Sequence, residues 1–433
     1  YGTIWFNLNR TIRSNVCCSM STLEVNKITP VSGGTTVQIG ESGDTINIPS
    51  GATIANAGTS TGFGDSLRPN AQALIINGSM EVSQRGTSFT SNGYQLDRWT
   101  FDESTDGAVT VTQDSTVPSG QGFGKSIKFD VTTADGTLAA NQYCQWTQFF
   151  EGQNLQLLKY GTSSAENLTL AFWVRSNKTG TYCMRFVKEA GGQTRYECPI
   201  EYSISSADTW EKKIINLSPT AGSTTFITNS AGAIVNSNAS GYRIAWILAS
   251  GTDFNSGTNN TWTATSDRLG TTNQVNFLDN TSNELYITGV QLEVGEYTSS
   301  TIPSFQYESF ADNLQRCQRY LQTPIYANDH QGTSEQYAVF GTGVYSSSSY
   351  YRCVRPLPVE MRVNPSLVSS SGSNYFFILS GANDYVDDLT LFADSNYKTA
   401  FVYNNDEASG TAGQAGILMG DNTNAYAWLN AEL

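Results

Sequence analysis

Between Asn283 and Gln322 the apolar residues change period once, and that change constrains the architecture more than any other feature of the chain. In NELYITGVQLEVG, Tyr286, Thr288, Val290, Leu292 and Val294 fall on one side of an extended chain, with Ile287, Gly289, Gln291 and Glu293 on the other. That is the period of two of a β-strand. Beyond Pro303, Phe310, Leu314, Cys317 and Leu321 follow at spacings of 4, 3 and 4, which predicts an amphipathic helix over 308–322. So short a helix is unstable alone. Its apolar stripe must bury against its own sandwich or against counterparts about a threefold axis, and the heptad spacing favours the axis.

Almost everything else reads as strands. ALIINGSMEVSQ, YQLDRWTFD, AVTVTQ, KSIKFDV, QYCQWTQFF, NLTLAFWVRS, TYCMRFVKE, WEKKIINL, YRIAWILAS and ELYITGVQLEV divide 73–300 into alternating runs separated by Gly and Asn turns. An all-β chain is expected, with a jelly-roll β-sandwich over 73–300. Leu168, Leu170, Phe172 and Val174 share the face that fills the core, and Trp99 joins them, with Asp97 and Arg98 as a local pair. Within 20–64, TTVQIGESG, DTINIPSGA and TIANAGTST repeat one short strand and a turn. Such a unit cannot bury its own apolar face. Three chains side by side can, as a stalk; an ordinary meander is the alternative. The remaining divisions are an extension over 1–19, a linker over 65–72, the turn and trimerising helix over 301–322, and a Tyr- and Ser-rich β tip domain over 323–433.

The chain carries a net charge of −14 with only 14% charged residues and no basic run, which argues against nucleic acid. No window is apolar enough for membrane insertion. Aromatics at 12% argue for a folded chain. An acidic surface should read neutral sugar hydroxyls, or anionic sugars bridged by a divalent cation such as calcium; no other cofactor or metal is expected. Of seven cysteines, Cys144, Cys183 and Cys317 read as small buried hydrophobes. A Cys183–Cys198 bridge across a hairpin is the one pairing considered. Catalytic sets are poor. The single His330 sits in a loop without a GxSxG elbow. Asp384, Asp387 and Asp388 read as a solvated turn or a weak cation site, and SGQGFGKS as a hairpin turn. No enzyme is expected.

Binding chemistry is easier to place. Trp173 lies opposite the core face with Thr169 and Arg175. With Arg185, taken to be on the neighbouring strand, it would make an aromatic and polar platform of the kind that stacks sugar rings. The competing reading has Trp173 covered by a loop or a second subunit. Tyr345, Tyr350 and Tyr351, followed by Tyr375, Phe376 and Phe377, form a second cluster, readable as binding surface or as alternating core.

The words NGSMEVSQRGTS, YQLDRW, LTLAFWVRSNKTGTY, WEKKII, YITGVQLEVG and LQRCQRYLQ, in this order, resemble tail-fibre proteins of tailed bacteriophages, many of them marine. MSTLEVNKITPVSGGTT from Met20 resembles the start of such fibres, and AYAWLNAEL their end. The resemblance implies a carbohydrate-binding-like β-sandwich, a homotrimer and a virion location after assembly in the host cytoplasm. It implies other tail proteins as partners of the N-terminal part and attachment to host surface polysaccharide without catalysis. The alternatives are a head or neck fibre, a polysaccharide depolymerase tailspike, and a secreted bacterial lectin. The last is disfavoured because Arg10 and Arg13 interrupt the first apolar stretch.

Overall fold

The computed structural model describes residues 73–433 except 190–193, 265–268, 326–336 and 422–423. The expected extension, stalk and linker, and His330, lie outside the described residues.

The all-β expectation holds. Two six-stranded antiparallel sheets face each other. The first runs Ser88–Phe89, Ala108–Asp114, Ser126–Thr133, Glu284–Val294, Leu168–Ser176, Glu211–Leu217. The second runs Gly93–Tyr94, Trp99–Glu103, Tyr143–Glu151, Ser240–Ser250, Gly180–Lys188, Tyr196–Ile204. Their inner faces close on an indole cluster in which Trp99 stacks on Trp146 at 3.9 Å and Trp246 lies 5.1 Å from Trp146. Leu168, Leu170, Phe172 and Val174 all point into this core, as their alternation requires.

Several local expectations fail for identifiable reasons. Residues 73–84 form turns rather than a strand: Asn77 and Met80 take left-handed backbone at φ 58° and 61°, and the Asn77 side chain caps the Val82 amide and carbonyl. Tyr196–Ile204 is a strand that the sequence reading did not number among its strands. Cys183 pairs in register with Glu201 and Cys198 with Phe186, on opposite faces of the hairpin, so no bridge forms and both thiols are free and buried. In Glu284–Val294 the face changes at a bulge between Thr288 and Gln291. Gly289 there has φ +62°, and a Cβ would stand 2.4 Å from the Phe123 ring. Before the bulge Leu285 and Ile287 point inward; after it Val290 and Leu292 do. Tyr286 and Thr288 thus share a face with Gln291 and Glu293, not with Val290.

The helix spans Phe310–Gln318, shorter than expected, and begins where the Ser309 hydroxyl accepts from the Asp312 amide. Leu321 lies outside it, opening a strand that pairs with Ala427–Asn430. Cys317 is fully buried against Ile76, Val82 and Tyr320, with Leu314 packed on the same cluster, and Phe310 is 43% exposed. The stripe proposed as a trimer seam is therefore corrected: Cys317 and Leu321 are consumed inside the chain because the final strand captures Leu321 before the helix can extend.

The C-terminal domain stacks a three-stranded sheet on a seven-stranded one. The first is Leu321–Ile325, Ala427–Asn430, Ser366–Ser369; the second is Asn383–Val386, Phe376–Leu379, Ala415–Gly420, Val339–Ser347, Tyr350–Pro356, Thr399–Asn404, Thr390–Leu391. A core containing Phe340, Phe376, Ile378, Val402 and Leu429 lies between them. The chain end returns to the sandwich, where Glu432 pairs with the buried Arg98 and with Arg85 at 3.3 Å. The expected Asp97–Arg98 pair does not exist: Asp97 accepts from the Gln84 amide and side chain at 2.6 and 2.5 Å.

Candidate binding surface

The outer face of the first sheet is built by three strands distant in sequence. Pairing sets Arg175 beside Tyr286 and Tyr286 beside Lys128, and because paired residues share a face all three point outward in one row. Trp210, just before the Glu211–Leu217 strand, extends the row, its ring 6.3 Å from Tyr286 and edge-on. The Arg175 guanidinium lies 5.1 Å and the Lys128 ammonium 5.8 Å from the centre of the Tyr286 ring. The adjacent row holds Trp173 between Lys212 and Thr288.

The charges of the first row are matched, and Lys212 in the second stands beside Trp173. Lys128 reaches Glu284 at 2.7 Å and Arg175 reaches Asp208 at 2.8 Å. Tyr286 also donates to Glu284, at 2.8 Å. The hydrogen bond from Lys128, above all, holds the Glu284 carboxyl below the usual carboxylate range. The Lys128 ammonium sits above its ordinary value: burial opposes its charge, and Glu284 with its neighbours outweighs that. Trp173, Arg175, Trp210 and Lys128 are half-buried, and Lys212 is exposed. Rigid aromatic surface edged by fixed donors and acceptors suits a sugar ring, whose C–H face stacks while its hydroxyls bond at the rim.

Of the residues named from sequence, Trp173 and Arg175 meet here and Arg185 does not. Consecutive strands Leu168–Ser176 and Gly180–Lys188 enter opposite sheets. Arg185 is 2% exposed and donates to Glu197 at 2.6 Å, which Arg195 also reaches at 2.9 Å. Tyr345 and Tyr351 are likewise corrected. They pair directly and face the core of the C-terminal domain. Tyr345 donates to Asp384 at 2.6 Å and Tyr351 to the Gly416 carbonyl at 2.9 Å. Phe376 and Phe377 are buried as well. Tyr350 stays half-buried, with Arg352 4.6 Å from the centre of its ring. Asp384 thus caps a tyrosine and Asp387 accepts from the Asn374 amide; among the described residues no group of three or more His, Cys, Asp or Glu is placed to hold a metal ion. Trp210, Tyr286, Lys128 and Lys212 escaped the sequence reading. The alternation in KSIKFDV and WEKKII marks outward residues, but nothing local says which strands lie side by side.

No family model matches the chain, and no curated protein does. Solved structures resemble its β-sandwich. The enzymatically active domain of tailspike protein 4 from bacteriophage CBA120 aligns at 14% identity and TM-score 0.28, over 51% of this chain and 21% of that one. The family 11 carbohydrate-binding module from Clostridium thermocellum, in complex with a β-1,3-1,4-mixed-linked tetrasaccharide, aligns at 12% and 0.26, over 49% and 98%. The TmCBM61 module, in complex with β-1,4-galactotriose, aligns at 12% and 0.25, over 52% and 99%. So distant a likeness leaves the function to be argued from the chain's own residues.

Proposed function

We propose that this chain is a non-catalytic attachment protein that binds polysaccharide on the outer face of its first sheet, carried on the tail fibre of a tailed bacteriophage. The observation that carries the binding reading is the row Trp210, Arg175, Tyr286 and Lys128 beside Trp173. Its ligand is a neutral surface glycan of the host: the row's cations already hold carboxylates, which leaves the half-buried Trp173 and Trp210 rings for stacking and rim groups for hydroxyls, while Tyr286, 6% exposed, supports the two cations. The tail-fibre assignment rests on the sequence words that resemble fibre proteins, and so do the virion location and the link to other tail proteins.

Catalysis is disfavoured at this surface. Glycoside hydrolysis needs a carboxyl kept protonated as general acid, whereas Glu284 is held ionised by Lys128. Binding requires no metal or cofactor.

The test is titration of the full chain with host surface polysaccharide. Trp173→Ala removes one stacking surface, worth about 1 kcal/mol, and should weaken binding roughly fivefold while leaving the melt unchanged. Unchanged affinity in Trp173→Ala and Trp210→Ala would remove the platform. Release of reducing ends on incubation would make the chain a depolymerase.

A further inference from the structure

The inner face of the seven-stranded sheet packs on the three-stranded one. Its outer face is unlike any other surface of the described chain. Register places Leu379 beside Ile417, Ile417 beside Thr342, Thr342 beside Val354 and Val354 beside Phe401. This is a single row crossing five strands, roughly 19 Å at the usual strand spacing. Tyr385, Val339 and Val344 flank it. Six of the thirteen large apolar side chains exposed among the described residues stand on this face, each 36–45% exposed. An antiparallel sheet that meets water on one side carries polar residues there; here the five-strand row has one polar member, Thr342, with Asn383 beyond Leu379 at its end and Arg352 beside Val344 in the next row.

The exposed apolar area is roughly 500 Å², at the upper end of patches found on monomers. With the interleaved Thr342, Val354 and Met419 the face reaches roughly 650 Å², at the lower end of the roughly 600–1,000 Å² that each partner buries in a standard interface. Of the other seven, Tyr337 packs edge-on against Phe377 of this same sheet, and Leu157, Val235, Tyr307, Phe310, Val368 and Tyr397 lie outside it, none of them part of a comparable row. Among the described residues, a second copy therefore offers this face no apolar counterpart except the same sheet, and like faces meet about a symmetry axis.

We infer that the outer face of the seven-stranded sheet is the interface through which copies of this chain assemble. Self-association moves there from the Phe310–Gln318 helix, whose stripe is largely spent inside the chain. The inference does not rest on the polysaccharide reading, which concerns a different sheet.

Light scattering of the full chain at micromolar concentration should give at least twice 47.0 kDa. Ile417→Lys, in the middle of the row, should give the monomer mass. The near-ultraviolet signal of the Trp99, Trp146 and Trp246 cluster and the affinity for polysaccharide per chain should both stay as in the wild type. Ile417→Thr keeps a β-branched strand residue and removes apolar area; it should raise the dissociation constant at least tenfold, and it serves if the lysine variant does not fold. Leu314→Asp should lower the melting temperature and keep the assembled mass. A monomeric wild type, wild-type mass in both Ile417 variants, or dissociation by Leu314→Asp alone would overturn the inference.

Discussion

The C-terminal domain has two sides that meet their surroundings by opposite physics. Toward the sandwich it is sealed by buried polar contacts. Glu432 closes on Arg98, Arg319 holds both oxygens of Glu151 at 2.7 and 2.8 Å, Tyr320 donates to Glu151 at 2.6 Å, and Arg362 donates to the Asn238 carbonyl at 3.0 Å. On the outer face of the seven-stranded sheet an apolar row crosses five strands, with the exposed Arg352 in the next row beside Val344, and nothing among the described residues is seen to cover it. Buried charges are tolerated only where geometry is fixed, and a covalent chain that folds back on itself fixes it. Apolar contact is non-directional, so it suits a surface that must find a separate copy. The seam is closed within the chain; the sheet face is left for assembly.

The contrast breaks most visibly at Glu432. Its removal in Glu432→Ala leaves the Arg98 guanidinium, 1% exposed, without its carboxylate. That should cost about 3–5 kcal/mol in chemical denaturation; a loss below about 1 kcal/mol would mean the ion pair does not hold the seam. A surface change on the other side, Ile417→Lys, should by comparison leave the unfolding free energy of the monomer within about 0.5 kcal/mol.

A smaller effect separates the two sides by pH. Burial pushes the Glu151 carboxyl up, but the hydrogen bonds from Arg319 and Tyr320 outweigh it and hold the group below the ordinary value of 4.5. A depressed carboxyl contributes its stability fully above the unfolded pKa and loses it as pH falls through the folded one. The seam should therefore weaken as pH falls below about 4.5, and Glu151→Gln should flatten that part of the stability profile. If Glu151→Gln keeps the full acid dependence, other carboxylates carry it.

The smallest expected effect concerns the cysteines. All five described thiols are free and buried, and burial raises those of Cys144, Cys183, Cys198, Cys317 and Cys353, which leaves them protonated and inert at neutral pH. A reducing agent should leave both the melt and the assembled mass unchanged; a drop in either would reveal a bridge.

Much of the fold was legible because strand periodicity is local. The core face of NLTLAFWVRS, the central place of Trp99 and the outward direction of Trp173 and Arg175 followed from alternation alone. The misread residues share one cause. Tyr345 and Tyr351 alternate correctly, yet alternation separates two faces without saying which one is covered, and here the three-stranded sheet covers theirs. Arg185 was placed next to Trp173 because the strands are consecutive, whereas the connection between them crosses from one sheet to the other. Tyr286 was put with Val290 because nothing in the string announces that Gly289 is a bulge; only the Phe123 ring packed against it explains a glycine there. Trp210 and Lys128 could not be joined to Tyr286, since their pairing partners lie far away along the chain.

From the amino-acid sequence alone come the all-β class, the positions of most strands and the pairs of residues that share a side of each strand. These follow from the pleat, a property of the backbone over a few residues. The tertiary structure alone decided which side of each strand is inside, which strands are neighbours, that the helix is used up against its own chain, and that a row of aliphatic residues stays open on the last large sheet. Those outcomes depend on partners remote in sequence, and a shift of one residue in pairing reverses every side chain on a strand.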